Sequence, residues 1–538
     1  MSMTAYRPLQ YRAAAGFPLG PWGRASLQGA SLCTCEKLLE RSEEIPSASR
    51  RFLCVSRATA LNAQQMGALL DTSHFVLLLL PPSGVTLNAT EAAEIREIEK
   101  LLLDRHSTAA VAFSRETRDA AVLLERLNRD EEYDDAPART RMLRPYLTTY
   151  TTYSQEWQPI KSVKGSTLTS WLHGQPGQDG ALPPTIVFVA HHDAFAAVPH
   201  FATGISTGGS GLITLLWLAR ELKKFYKQEP PAYSVAFVLA DASAMNYEGV
   251  ADWIGRTDPR LLNATRYVLC LDNVASTALS LHTPKAYKDS EASRFVQMLE
   301  NSLLEEGVQM STRTKKIAVG EKVLPFWPHE HFTRAKLIAG TLSAEQELKH
   351  LWNRSSLTDD SLNKDALVKT VRGLAEGTAR FLASVEKPST RLTFRGGEEA
   401  FDVFISSWVK FCNKTPRFFA YRNVPEYMSS PFANRIFVKS LSDEMENAGL
   451  STELHEFDVD MGEFSFSYEP SVAIEVSETR PTFFDWLLLL GAAAYSFAIY
   501  LAIKGAMSTN ILEGPSCSTA ASPTSERGSP RANDSKAK

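Results

Sequence analysis

Pro184-Thr-Ile-Val-Phe-Val-Ala-His191-His192-Asp193 is the stretch on which the reading of this chain turns. From Thr185 to Ala190 every residue is apolar or β-branched, with no polar alternation, as a strand buried on both faces requires. The run then breaks abruptly into two histidines and an aspartate. Outward from it, Gly211 to Leu222 places Leu212, Leu215, Leu216, Ala219 and Leu222 at helical spacing, and Val235–Leu239 and Tyr267–Leu271 are further apolar strands. Helices are predicted over 290–306 and 364–383. Strands apolar on both faces that alternate with helices imply an α/β fold, a mainly parallel central sheet flanked by helices. Ligands in such folds bind beyond the carboxyl ends of strands, so the loops after Ala190, Leu239 and Leu271 are where chemistry is expected.

The flanks read less sharply. Residues 52–57 and Phe75–Leu80, the latter closed by Pro81-Pro82, are predicted strands, with helices at about 90–104 and 116–128. Thr148–Tyr153 suits an edge strand. Beyond 390 the pattern loosens into a helix over Glu398–Lys410, a loop rich in Pro, Tyr and Arg, and a strand at Ser465–Tyr468. The expected organisation is an N-terminal α/β region at 1–135, the central α/β domain at 136–390, a juxtamembrane attachment at 391–482, a transmembrane helix at 483–503 and a disordered tail at 504–538.

The 538 residues carry 57 Lys+Arg against 61 Asp+Glu, a formal charge of -4, which supplies no electrostatic footprint for direct nucleic-acid binding. With 44% hydrophobic and 22% charged residues, the chain is neither a mostly disordered protein nor a polytopic membrane protein. Cys33, Cys35, Cys54, Cys270, Cys412 and Cys517 are too scattered for a disulfide scaffold. They read as buried or free thiols, or as containing one bridge among Cys33, Cys35 and Cys54.

Phe483–Ile503 breaks the soluble pattern: its only charge is Asp485, and it carries Trp486 near one end and Tyr500 near the other. At about 1.5 Å per residue it spans roughly 30 Å, the hydrocarbon thickness of a bilayer. Glu475, Glu478 and Asp485 precede it and Lys504 follows, so the positive-inside rule puts the short tail in the cytosol and the large N-terminal part in a lumen. Asn88, Asn263, Asn353 and Asn413 then become candidate glycosylation sites. Residues 1–40 hold no basic segment followed by an apolar run, so no signal peptide is visible and the expected explanation is an incomplete N-terminus. Gly491, Ala494 and Ala498 read equally as a packing face for another helix or as ordinary lipid-facing small residues.

His191-His192-Asp193 sits where an α/β exopeptidase would supply a zinc ligand and its orienting carboxylate, and equally reads as a polar cluster at a strand end. The chain resembles the M28-like zinc-aminopeptidase fold and, within it, the nicastrin-like nicalin family. The resemblance rests on residues 184–195, Gly208-Gly-Ser-Gly211, Leu218-Ala-Arg-Glu-Leu222, Asn246-Tyr-Glu-Gly249, Val268-Leu-Cys-Leu-Asp272 and Trp327-Pro-His-Glu-His-Phe332. It covers roughly residues 145–385, with a thinner match on either side.

In an active dizinc peptidase the resemblance implies His191 as ligand, Asp193 as its support and Asp272 as a further ligand. The bridging aspartate falls on Ser206, the paired glutamates fall on Ser243 and Ala244, and the final histidine is missing from the Asn353–Asp360 loop, with His350 off the motif. Two metals need a bridging anion, and zinc-bound water needs a proton acceptor, which neither Ser243 nor Ala244 provides near neutral pH. Asp241 or Glu248 swinging inward is the one salvage route. The resemblance therefore implies a pseudo-aminopeptidase with no metal, no catalytic residues and no cofactor. It further implies an endoplasmic reticulum membrane scaffold in complex with a Nodal modulator-like protein and a multi-spanning partner. Such a scaffold would associate with translocon and ribosome during multipass protein insertion and influence Nodal signalling. The alternatives are a membrane-tethered zinc aminopeptidase and a nicastrin-like substrate receptor of an intramembrane protease.

Overall fold

The computed structural model describes residues 1–510 except 14–16, 24–27, 30, 41–51, 86, 133–145, 155–157, 178–180, 229, 289, 318–323, 348, 351–353, 355, 387, 395–397, 422–433, 463, 469–470 and 480–481. Its largest sheet has eight strands: β1 (Lys164–Leu172), β2 (Thr185–His191), β3 (Ser234–Ala240), β4 (Thr265–Leu271), β5 (Ala278–Thr283), β6 (Gln309–Thr314), β7 (Ala339–Ser343) and β8 (Thr452–Asp458). They lie in the order β6-β5-β7-β4-β2-β3-β1-β8. The four central strands β7-β4-β2-β3 are parallel, and β1 and β8 extend the sheet antiparallel on one side. On the other side β5 runs antiparallel to β7 and β6 parallel to β5.

Both faces of the sheet are covered. Ile186, Phe188 and Ala190 of β2 pack into a core with α1 (Ser210–Gln228), α2 (Ser290–Glu305) and α3 (Lys364–Ala383), through side chains such as Leu215, Phe295 and Leu374. Val187 and Val189 point the other way, against Val250, Trp253 and Phe332. The unalternating run at 185–190 is thus the signature of a strand with a hydrophobic partner on each side.

A second sheet is parallel throughout: Ser31–Thr34, Phe52–Arg57, Phe75–Leu80 and Ala110–Arg115, in that order. Helices Ala63–Thr72 and Ala89–Asp104 cover one face and Arg118–Glu132 the other. Asn62 and Asn88 start the first two helices with reciprocal side-chain to backbone bonds.

Within the expected attachment, residues 391–479 belong to the main unit. The helix α4 (Glu398–Lys414) buries Phe401, Phe404, Ile405, Trp408 and Cys412 in the main core, because these apolar residues recur at helical spacing on one face. β8 completes the main sheet, and the N-terminal strand Ser2–Ala5 pairs antiparallel with Val472–Thr479. Gln10–Arg12 pairs likewise with Ser465–Tyr468. Met1–Tyr133 and Leu147–Thr479 consequently form one compact unit rather than consecutive domains. Cys35, Cys54, Cys270 and Cys412 are free thiols among the described residues, and Cys33 faces Cys54 on the adjacent strand; Cys517 lies outside the described residues.

The C-terminal helix α5 (Thr482–Asn510) belongs to a second unit. Within it Phe483–Gly505 is long and apolar enough to cross a membrane, and none of it is buried against protein. Gly491, Ala494 and Ala498 fall at spacings that put them on one face.

Candidate functional site

Three loops beyond the carboxyl ends of β2, β3 and β4 meet over the sheet, and each brings residues singled out by the sequence. Helix α1 can approach because Gly211 has no side chain: a Cβ there would lie 2.5 Å from the Leu271 carbonyl oxygen. Asp193 Oδ2 accepts hydrogen bonds from both the backbone N–H and the hydroxyl of Ser243, each at 2.8 Å. The loop that carries Ser243 holds Ala242, Asn246 and Tyr247 at φ between 53° and 58°, a left-handed conformation uncommon for residues other than glycine. Such geometry persists only where surrounding contacts over-determine it.

Asp272 faces an arginine. Its Oδ2 accepts from Arg354 Nη1 at 2.6 Å and from the Ser343 hydroxyl at 2.8 Å. The guanidinium also donates from Nη2 to the Tyr247 hydroxyl at 2.8 Å and lies 4.3 Å from the centre of the Trp327 ring. The two side chains are 2% and 3% exposed. Burial alone would raise the Asp272 carboxyl, but Arg354, Ser343 and a backbone N–H outweigh it and hold it below the usual carboxylate range. The Arg354 guanidinium, penalised by burial, is held in its charged form by Asp272.

His191 lies beside this pair with both ring nitrogens lacking a hydrogen-bond partner, and its ring centre is 5.1 Å from that of Tyr247. Burial lowers its pKa to about 4, so the imidazole is neutral. His192 is engaged elsewhere, Nε2 lying 2.8 Å from the Ser166 carbonyl oxygen. Ser206 reaches Asn273 Oδ1 through its hydroxyl at 3.2 Å, and its backbone N–H and that of Thr207 donate to the two oxygens of Asp359.

These residues do not fit zinc. Asp272 Oδ2 already has a permanent cation bonded to it, and Asp193 Oδ2 accepts twice from Ser243. Among the described residues no group of three or more His, Cys, Asp or Glu converges as a metal requires. The salvage carboxylates are also held: Asp241 Oδ2 accepts from Ser166 N–H, and Glu248 Oε1 from Asp460 N–H. Ala244 brings no acid or base, and His350 stacks on Phe326 with ring centres 4.3 Å apart. What remains open is a polar cavity of about 300 Å³ lined by Arg96, Ser206, Thr207, Asn273, Arg354 and Asp359.

Sequence reasoning missed the residues that hold this site together. Arg354 lies in the very loop searched for a final histidine and is its single basic residue, which was the available signal. Arg417, buried, donates to the carbonyls of His192, Thr203 and Gly204, clamping the loops that carry Asp193 and Ser206. Glu99, from the helix Ala89–Asp104, accepts from Leu357 N–H and the Ser356 hydroxyl, and burial pushes its pKa up to about 7. Of the candidate glycosylation sites, Asn88 and Asn263 are exposed and Asn353 lies outside the described residues. Asn413 is half-buried, and its amide nitrogen donates to the Asp360 carbonyl at 2.8 Å.

Comparison with known proteins agrees with the fold. The family described as Peptidase family M28 matches residues 173–376. The human protein named BOS complex subunit NCLN is 26% identical over 483 residues, covering 85% of this chain and 82% of that protein. A Caenorhabditis elegans protein named nicalin is 25% identical over 355 residues, 60% of this chain and 61% of its own. Among solved structures, the gamma-secretase component nicastrin aligns with a TM-score of 0.60 at 12% identity, covering 88% of this chain and 99% of that one, a likeness of fold. Residues 173–376 therefore carry an M28 aminopeptidase-like fold, and over most of its length the chain is similar to the nicalins, proteins named as BOS complex subunits, with nicastrin as its structural neighbour.

Proposed function

We propose that this protein is a non-catalytic subunit of a membrane protein complex of the BOS type, anchored by one helix and working through binding rather than hydrolysis. The observation that carries the reading is the Arg354–Asp272 pair. In a fold whose peptidase chemistry depends on metal-bound water, a guanidinium is bonded to Asp272, and the resemblance aligns Ser243 and Ala244 with the positions where it implies a proton acceptor. Similarity to BOS complex subunits over most of the chain supports the assembly role.

On this reading the large unit lies in the lumen of the endoplasmic reticulum, the tail after α5 lies in the cytosol, and the partners are a Nodal modulator-like protein and a multi-spanning subunit. The complex assists multipass protein insertion and assembly at the ribosome-bound translocon and influences Nodal signalling. The test is mass spectrometry of what co-purifies with tagged full-length protein from gently solubilised reticulum membranes. Ribosomes, translocon components and a Nodal modulator-like protein are expected. Recovery of a presenilin-type protease instead would reassign the protein as a substrate receptor. Stoichiometric zinc together with hydrolysis of aminoacyl reporter substrates would overturn the non-catalytic reading.

A further inference from the structure

Strand β6 ends the main sheet, and among the described residues no strand pairs with its outer side. It is held to β5 from one side only, with Gln309 N–H donating to Thr277 and Lys315 N–H to Thr283 at 2.8 and 2.9 Å. Strand periodicity then turns the backbone groups of Met310, Thr312 and Thr314 to the free edge. Five of the six β6 residues are exposed, Met310 being half-buried.

Where β6 ends, a cavity of about 430 Å³ opens, lined by Arg313, Lys315, Lys316, Phe326, Trp327 and Glu330 among others. Phe326 and Trp327 give it an aromatic wall, and Lys315 Nζ lies 4.9 Å from the Phe326 ring centre. Arg313 is oriented by the Ser280 hydroxyl and the Gln346 side-chain oxygen. Among the described residues none of these three cations is ion-paired. Glu330, the lining carboxylate, is turned to the Phe326 and Trp327 N–H groups and to Arg334. Among the described residues, the cavity therefore carries an uncompensated positive charge next to a row of unpaired backbone donors and acceptors.

We propose that β6 and this cavity form a docking site for an acidic, extended peptide segment of a partner protein, added as a further strand alongside β6 with a carboxylate side chain among Arg313, Lys315 and Lys316. Basic side chains on an edge strand repel a second copy of the same edge, which excludes self-pairing and selects an acidic partner. Plain protection of an edge would need no aromatic-walled cavity. A free phosphate or a headgroup would use the cations but leave the backbone row unpaired, whereas a peptide strand uses both.

The experiment is fluorescence anisotropy of a labelled short peptide of alternating Glu and Val, titrated with detergent-solubilised full-length protein. Saturable binding is expected, weakened at least about tenfold in the double variant Lys315→Glu, Lys316→Glu and to the same degree when alternate peptide nitrogens are methylated to block strand pairing. Thr312→Pro removes an outward N–H without touching the bonds to β5 and is expected to weaken binding similarly, with the thermal transition confirming the fold. The proposal is overturned by absent binding, by equal affinity for the methylated peptide, by undiminished binding to the charge-reversed variant, or by inorganic phosphate displacing the peptide at comparable concentration.

Discussion

Arg354 is the residue on which the site's stability rests. Removing one member of a buried, hydrogen-bonded charge pair leaves the other uncompensated, at a cost of about 3–5 kcal/mol, whereas removing both can be nearly neutral. Arg354→Met is thus expected to lower the denaturation midpoint sharply, and Arg354→Met with Asp272→Leu to recover most of the loss. Chemical unfolding of the two variants checks this; equal destabilisation in both would contradict the pairing. Glu99 gives a pH dependence of definite sign. Its pKa is raised from 4.5 to about 7 by burial, so the folded form keeps the proton that the unfolded chain releases. Its contribution is fully present below about pH 4.5 and is lost as pH rises through about 7, with a limiting slope of about tenfold in the unfolding constant per pH unit. The stability of the parent relative to Glu99→Gln should fall across that window when both are melted at a series of pH values. His191 and His200, both lowered to about 4, act with the opposite sign and are common to both proteins, so the difference isolates Glu99.

At the scale of elements, the legible parts were those whose partners are hydrophobic. The run at 185–190 announced β2, and the leucines after Gly211 announced α1, because burial imposes a period on the sequence. Ser2–Ala5 and Gln10–Arg12 announced nothing: strands so short take their conformation from the strands they pair with, and no local pattern encodes a partner more than 400 residues away. The site divides in the same way. His191 and Asp193 were singled out from their place at a strand end, and Asp272 and Ser243 from the resemblance, but Arg354, Arg417 and Asp359 act from irregular loops whose geometry only the assembled fold supplies. In α5, Gly491, Ala494 and Ala498 are exposed and share a face, and a Cβ on Gly491 would meet nothing within 4 Å. If that face receives a partner helix, Gly491→Leu with Ala494→Leu will reduce co-purification of the membrane partner while leaving the melting of the large unit unchanged. Undiminished recovery would assign the face to lipid.

Across the whole molecule, the sequons report which side of a membrane the large unit occupies. Asn88 accepts from Glu91 N–H and from the Thr90 hydroxyl through its side-chain oxygen, which leaves the nitrogen for a glycan, and Asn263 is exposed. With a lumenal unit, Asn88→Gln and Asn263→Gln should each raise gel mobility by one glycan, and glycosidase treatment should abolish the differences. Asn413→Gln should change nothing, because its nitrogen is bonded to Asp360. Protection of the tail rather than the large unit in sealed microsomes would reverse the orientation.

The pairing of Ser2–Ala5 with Val472–Thr479 has a consequence in time. A chain is made from its N-terminal side onward, so Ser2–Ala5 waits unmatched until the segment just before α5 has emerged. Contacts of such separation are the slowest to form. The last sheet closes only as α5 itself is being synthesised, and throughout that interval an open edge is presented to whatever folding factors surround the nascent chain. A truncation that stops short of Val472 would therefore never finish folding, however complete its central sheet.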